Sequence, residues 1–165
     1  MPAEPSPAKL LAGFIAKFDP AVAALIRRTR AAVRRRLPTA HELVYDNYNF
    51  FVIGFSSTLR PADCIVSVVA SAKGVALAFY YGADLPDPDG ILLGDGTQNR
   101  FVRMHGGVSP DTPAVARLIR AATAQGNSPL SRTGPGELVI RSVSAKQRPR
   151  RTVRRAAARP GAAKK

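Results

Sequence analysis

The side chains best placed to do chemistry in this chain are its arginines and lysines, because they are grouped rather than scattered. Residues 141–165 hold ten basic groups and no acid, among them Arg148, Arg150, Arg151, Arg154, Arg155, Arg159, Lys164 and Lys165. Residues 21–36 hold six arginines, again without an acid. The remainder of the 165 residues carries nine basic groups against all eleven acids, so a chain of formal charge +14 divides into a slightly acidic domain and two basic regions. Unneutralised cations separated by Ala, Pro and Gly cannot build a core, and they draw polyanions by releasing counterions. The C-terminal segment is therefore expected to be a disordered tail that binds DNA or RNA through phosphates. It has no aromatic residue to stack on bases, so it should read no sequence. Ribosomal RNA, an anionic membrane surface or solubility alone are the competing uses of such a tail.

Other groupings are weaker. Asp84, Asp87 and Asp89 with Gly90 are close enough in sequence for a hard cation, yet they lack the alternating carboxylate order of a calcium loop and read more simply as a turn fixed by Pro86 and Pro88. Gly94-Asp95-Gly96-Thr97 followed by Arg100 could present amides to an anion, but it has neither phosphate-loop spacing nor a following helix. His41 and His105 each stand without a neighbouring His or Cys, so no metal spacing is present. Cys64 lies in an apolar run and reads as a small packed residue. Tyr45, Asn47, Asn49 and Tyr81, near strand ends, together with Arg100, could line a pocket for a small molecule, with the loop 82–99 as its wall. No nucleophile, base and orienting group can be placed together, so a non-enzymatic binding module without cofactor is expected.

The elements that must position these groups follow from periodicity. Residues 1–8 are Pro-rich and expected to be unstructured. Leu10, Leu11, Phe14, Ile15 and Phe18 mark a short helix. Asp19-Pro20 opens a second, with Val22, Leu25, Ile26, Thr29 and Val33 on one stripe, ending at Leu37-Pro38. In that helix Asp19 is placed to cap the first turn, and the arginines fall on the flanks and outer face. From Glu42 the period becomes two. Strands are predicted up to a turn at Asn47-Tyr48-Asn49, over 51–55, from Cys64 to Ser71, from Val75 to Tyr81 after a Lys73-Gly74 turn, and over 100–104. Thr112-Pro113 starts a last helix carrying Val115, Leu118, Ile119 and Ala122, and residues 137–143 suit a final short strand. Short connections imply antiparallel neighbours. The fold class is α+β, a two-layer sandwich of helices on a five- or six-stranded, mainly antiparallel sheet, with a domain over 9–143 and a tail over 144–165.

One cysteine allows no disulfide within the chain. The short apolar stretch 10–16 suits neither a signal peptide nor an anchor. Residues 64–83 are interrupted by Lys73-Gly74 and read as a hairpin rather than a membrane span, so a cytoplasmic location is expected.

Phe79, Gly82-Ala83, Leu85-Pro86-Asp87-Pro88, Leu92-Leu93-Gly94, Gly96 and Arg100-Phe101-Val102-Arg103 resemble the second signature of the YdhG-like family of small bacterial domains of unknown function. Leu25-Ile26-Arg27, Leu37-Pro38 and Glu42-Leu43-Val44-Tyr45 resemble its first. The likeness runs over residues 10–122 and implies a fold similar to frataxin, two helices on one face of an antiparallel sheet. Some relatives have been considered iron chaperones by analogy with frataxin's acidic ridge. Here the first helices hold almost no carboxylates and the second is rich in arginine, which repels cations and departs from that pattern.

Overall fold

A computed structural model describes residues 2–152. Three helices are each opened by a proline whose fixed φ suits the first turn and whose missing N–H is not needed there. They are α1 (Pro7–Ala16), α2 (Pro20–Arg36) and α3 (Pro113–Gln125). Ser6 caps α1 by accepting from Lys9 N at 3.3 Å, so the helix takes in the last two residues of the segment expected to be unstructured. Asp19 precedes α2 as expected but makes no side-chain bond to the first turn of that helix. Its carboxylate instead receives the N–H and the hydroxyl of Thr152, at 3.1 and 2.8 Å.

Six strands follow the predicted alternation: β1 (His41–Asp46), β2 (Phe51–Ser56), β3 (Cys64–Ser71), β4 (Gly74–Phe79), β5 (Arg100–Met104) and β6 (Leu138–Val143). They form one open sheet in the order β5-β4-β3-β2-β1-β6. Successive pairs from β1 to β5 are antiparallel, whereas β6 joins β1 in parallel, which makes the sheet mixed. The reason is the crossover through α3. Five alternating strands leave the chain at the far end of β5, and a helix of 13 residues, about 20 Å long, carries it back to the end where β1 began. A strand starting there must run in the direction of β1.

The register puts Val44, Ile53, Val68, Leu77 and Val102 in one row across five strands. These residues, with Phe51, Phe55, Val66 and Phe79, join Leu11, Phe14 and Phe18 of α1, Ile26 and Val33 of α2, and Val115, Leu118 and Ile119 of α3 in a single core cluster. All three helices therefore cover the same face of the sheet. Phe51 sits between Phe14 and Phe18, with ring centres 6.3 and 5.9 Å away, and fixes α1 against the β1–β2 turn.

Two details place β6. A Cβ on Gly136 would fall on the Ala40 carbonyl, so only glycine lets the chain pass close enough for Glu42 N to reach Glu137 O at 2.8 Å. A register shift between Val44 and Tyr45 then leaves Arg141 as an extra residue between Ile140 and Ser142.

Candidate nucleic-acid interface

The tail was expected to begin at residue 144, yet the chain from Ser144 to Thr152 is bound to the domain. Ser144 N donates to Asp46 O and Arg148 N to Tyr48 O, each at 2.9 Å. Gln147 bridges Lys17 Nζ and Asp46 O. Arg150 is only 5% exposed: it donates to Asp46 Oδ1 at 2.9 Å and to the carbonyls of Asn47 and Asn49, with its guanidinium 5.8 Å from the Phe18 ring. Arg151 donates to the carbonyls of Lys17 and Ala16, where the C-terminal end of α1 carries partial negative charge. Arg148 lies 5.7 Å over Tyr48.

These contacts correct the reading of Arg150 as a free phosphate ligand, whereas Arg148 and Arg151 stay exposed, Arg148 over the Tyr48 ring and Arg151 on two carbonyls, without an ion pair among the described residues. Arg150 belongs to the interior because a buried carboxylate must be paired, and Asp46 is fully buried between Arg150 and Lys17, which holds Oδ2 at 2.7 Å. Arg154, Arg155, Arg159, Lys164 and Lys165 lie outside the described residues. What the fold does determine is where they start, at Thr152 beside Asp19 and the first turn of α2.

The arginines of α2 are likewise divided. Arg30 and Arg34, placed on the flanks by helical spacing, turn to Glu42, which is wholly buried on the helix-covered face of the sheet; the contacts are 2.6 Å from Arg30 Nε and 2.7 Å from Arg34 Nη2. Arg35 and Arg36 share Asp111. Arg27 and Arg28 are exposed and have no ion pair among the described residues. The basic groups left for an outside anion therefore include Arg27, Arg28 and the exposed Arg148, besides those of residues 153–165.

The expected pocket residues do not meet. Asn47 accepts from Ser142 Oγ at 2.7 Å at the β1–β2 end of the sheet, and Asn49 supplies a carbonyl to Arg150 there. Arg100 pairs with Phe79 at the opposite strand end, where it donates to the Gly96 and Asn99 carbonyls and packs its Cβ on Gly82. Tyr81, near Arg100, donates to Ala62 O. Tyr45 lies on the face of the sheet away from the helices, opposite Val52. The loop acids are engaged locally: Asp87 accepts from the amides of Ile91 and Leu92, both at 3.0 Å, and Asp89 pairs with Arg117. His41 Nδ1 accepts from Glu137 N at 3.0 Å. Among the described residues no group of three His, Cys, Asp or Glu side chains could hold a metal ion, and no helix is long and apolar enough to cross a membrane.

Cys64 opens β3 with its sulfur 3.3 Å from Ser67 Oγ. Burial pushes this thiol above its ordinary value near 9, and burial likewise raises the Tyr45 phenol, against the pull of the Arg141 guanidinium. Native Cys64 should thus react with iodoacetamide at pH 7.5 at least about tenfold more slowly than in the urea-unfolded chain, because the thiolate is the reactive form. A native rate equal to the unfolded one would remove this account. The sign for stability follows: both groups are neutral in both states below pH 8, and above their ordinary values the unfolded chain ionises first. Stability should fall as the pH rises past 9.

No family model, curated protein or solved structure matches the chain. Sequence reasoning missed Glu42 and Asp46 as inward-facing anchors. Their spacing of four, with Val44 between them, puts all three on one side of β1, and this parity is the signal that was there to be read.

Proposed function

We propose that this chain is a non-enzymatic nucleic-acid-binding module in which the segment after Thr152, aided by Arg27 and Arg28, gives sequence-independent affinity. One observation carries the proposal: residues 153–165 hold five basic groups and no acid, whereas Arg150, Arg30, Arg34, Arg35 and Arg36 of the domain are already engaged in ion pairs with Asp46, Glu42 and Asp111. Thirteen residues extended reach about 45 Å, more than the roughly 25 Å length of α2, so a tail anchored at its first turn can lie along the same phosphate track as Arg27 and Arg28. The membership in the YdhG-like family with its frataxin-like fold is part of this reading. It is supported by the way the signature residues serve each other, Gly82 seated on Arg100, Leu85 buried, and Leu93 bridged to Phe101.

Fluorescence anisotropy on a labelled duplex across a salt series tests it, comparing the full chain with residues 1–152. With five to seven phosphate contacts, log affinity should fall with log salt at a slope of about −4 to −6 for the full chain, and the shortened form should lose most of that slope. Equal slopes would dismiss the tail. The cut must be made after Thr152, since removal of 144–152 takes away Arg150.

A second reading, a small-molecule domain, is favoured by a cavity of about 250 Å³ beside loop 82–99, lined by Cys64, Phe79, Tyr81, Leu85 and Gln125 among others.

A further inference from the structure

The face of the sheet opposite the helices carries the rows Leu43–Gly54–Ser67–Ala78–Phe101 and Tyr45–Val52–Val69–Ala76–Arg103. None of the three helices packs there, since their partners all lie on the other parity. Small side chains in β2, β3 and β4 keep the middle low, and a groove of about 460 Å³ runs over Val52, Val69, Ala76 and Ala78. Its two walls are aromatic. Phe50, 49% exposed, stands just before β2, and Phe101 stands on β5, three strand spacings across and four residues along the strands, about 19 Å away diagonally. The Arg103 guanidinium lies 5.5 Å over the Phe101 ring, Lys73 sits at the β3–β4 turn, and no carboxylate lines the groove.

We propose that this groove binds single-stranded nucleic acid, with bases stacked on Phe50 and Phe101 and phosphates held by Arg103 and Lys73. The chemistry of the lining selects this occupant. A nucleotide offers flat apolar faces to aromatic walls and an anionic backbone to a basic rim, and both needs are met by one strand. A second copy of the same face would bring Arg103 and Lys73 toward their own duplicates with no acid to receive them. A purely apolar ligand would use the floor and leave the cations idle. The inference deepens the nucleic-acid reading above, from which it takes the polymer class, and adds what the aromatic-free tail lacks, a preference for unpaired bases.

The test uses the full chain, with anisotropy on a labelled dT12 and on a matched twelve-base-pair duplex. Phe50→Ala, at an exposed position, leaves the fold intact and should weaken dT12 binding about 5- to 100-fold with duplex affinity unchanged within about twofold, because a duplex hides its base faces. Phe101→Leu, which keeps apolar bulk, should act the same way. Arg103→Gln should reduce the single-strand salt slope by about 0.7. The proposal is overturned if Phe50→Ala and Phe101→Leu leave dT12 affinity unchanged, if they weaken strand and duplex equally, or if size-exclusion chromatography shows that they dissolve a dimer. Failure of the tail reading looks different: removal of 153–165 would leave duplex binding untouched while dT12 still responded to Phe50→Ala.

Discussion

Arg150→Met should lower the unfolding free energy by about 3–5 kcal/mol, a third or more of what a domain of this size ordinarily has. The substitution keeps a long apolar side chain against Phe18 and removes the charge. Asp46 then stays buried with Lys17 alone, and the Asn47 and Asn49 carbonyls lose their shared donor. Because those carbonyls belong to the β1–β2 turn and Phe51 next to it is the meeting point of α1 and the sheet, the damage reaches the core. Urea unfolding followed by circular dichroism measures it. The double change Arg150→Met with Asp46→Leu should recover much of the loss, since an apolar pair of similar volume leaves no unpaired charge. A single variant within about 1 kcal/mol of the parent would mean that the segment 144–152 is not held by this pair.

Removing both cations from Glu42 should be as costly, again about 3–5 kcal/mol, whereas removing Glu42 itself should cost about 1–2 kcal/mol. The asymmetry comes from burial. Glu42 is wholly enclosed, so Arg30→Met with Arg34→Met strands a carboxylate that has no route to water. The two arginine side chains are each about 33% exposed, and after Glu42→Leu they can swing outward and hydrate. Chemical denaturation of the three variants decides the order, and a Glu42→Leu loss larger than that of the double arginine variant would refute it. The same arrangement separates structure from binding: after correction for the folded fraction, the arginine pair should leave duplex affinity unchanged, while Arg27→Ala with Arg28→Ala should weaken it.

Much of the architecture was legible because it rests on local rules. The stripe Ile26, Thr29, Val33 faces the core, Pro38 lies just beyond the end of α2, and the hairpin around Lys73-Gly74 forms, because side-chain period and turn chemistry act over a few residues. Asp87 binding the amides of Ile91 and Leu92 follows from the same short-range preference. The expected cluster of Tyr45, Asn47, Asn49, Tyr81 and Arg100 failed for a reason of scale. All five are near strand ends, but which end depends on strand direction and on whether the residue opens or closes its strand: Asn47 follows β1, Tyr81 follows the oppositely directed β4, and Arg100 opens β5, which runs as β1 does, so Tyr81 and Arg100 lie at the end of the sheet away from Asn47.

What the amino-acid sequence determined by itself was the set of elements, the alternation that builds one face of the sheet, and the separation of a near-neutral domain from two basic regions. Those are matters of period and composition, carried by neighbours along the chain. Tertiary structure decided which charges are available. Arg150 and Arg151 look the same as Arg154 and Arg155 in a list of residues, yet Arg150 meets a buried carboxylate 104 positions away and becomes part of the core. Composition treats every arginine as solvated. A folded chain brings buried acids to some of them, and pairing them there is favourable enough to withdraw them from any outside partner. The direction of β6 was decided in the same way, by where α3 returns the chain, a length and a path that no local pattern encodes.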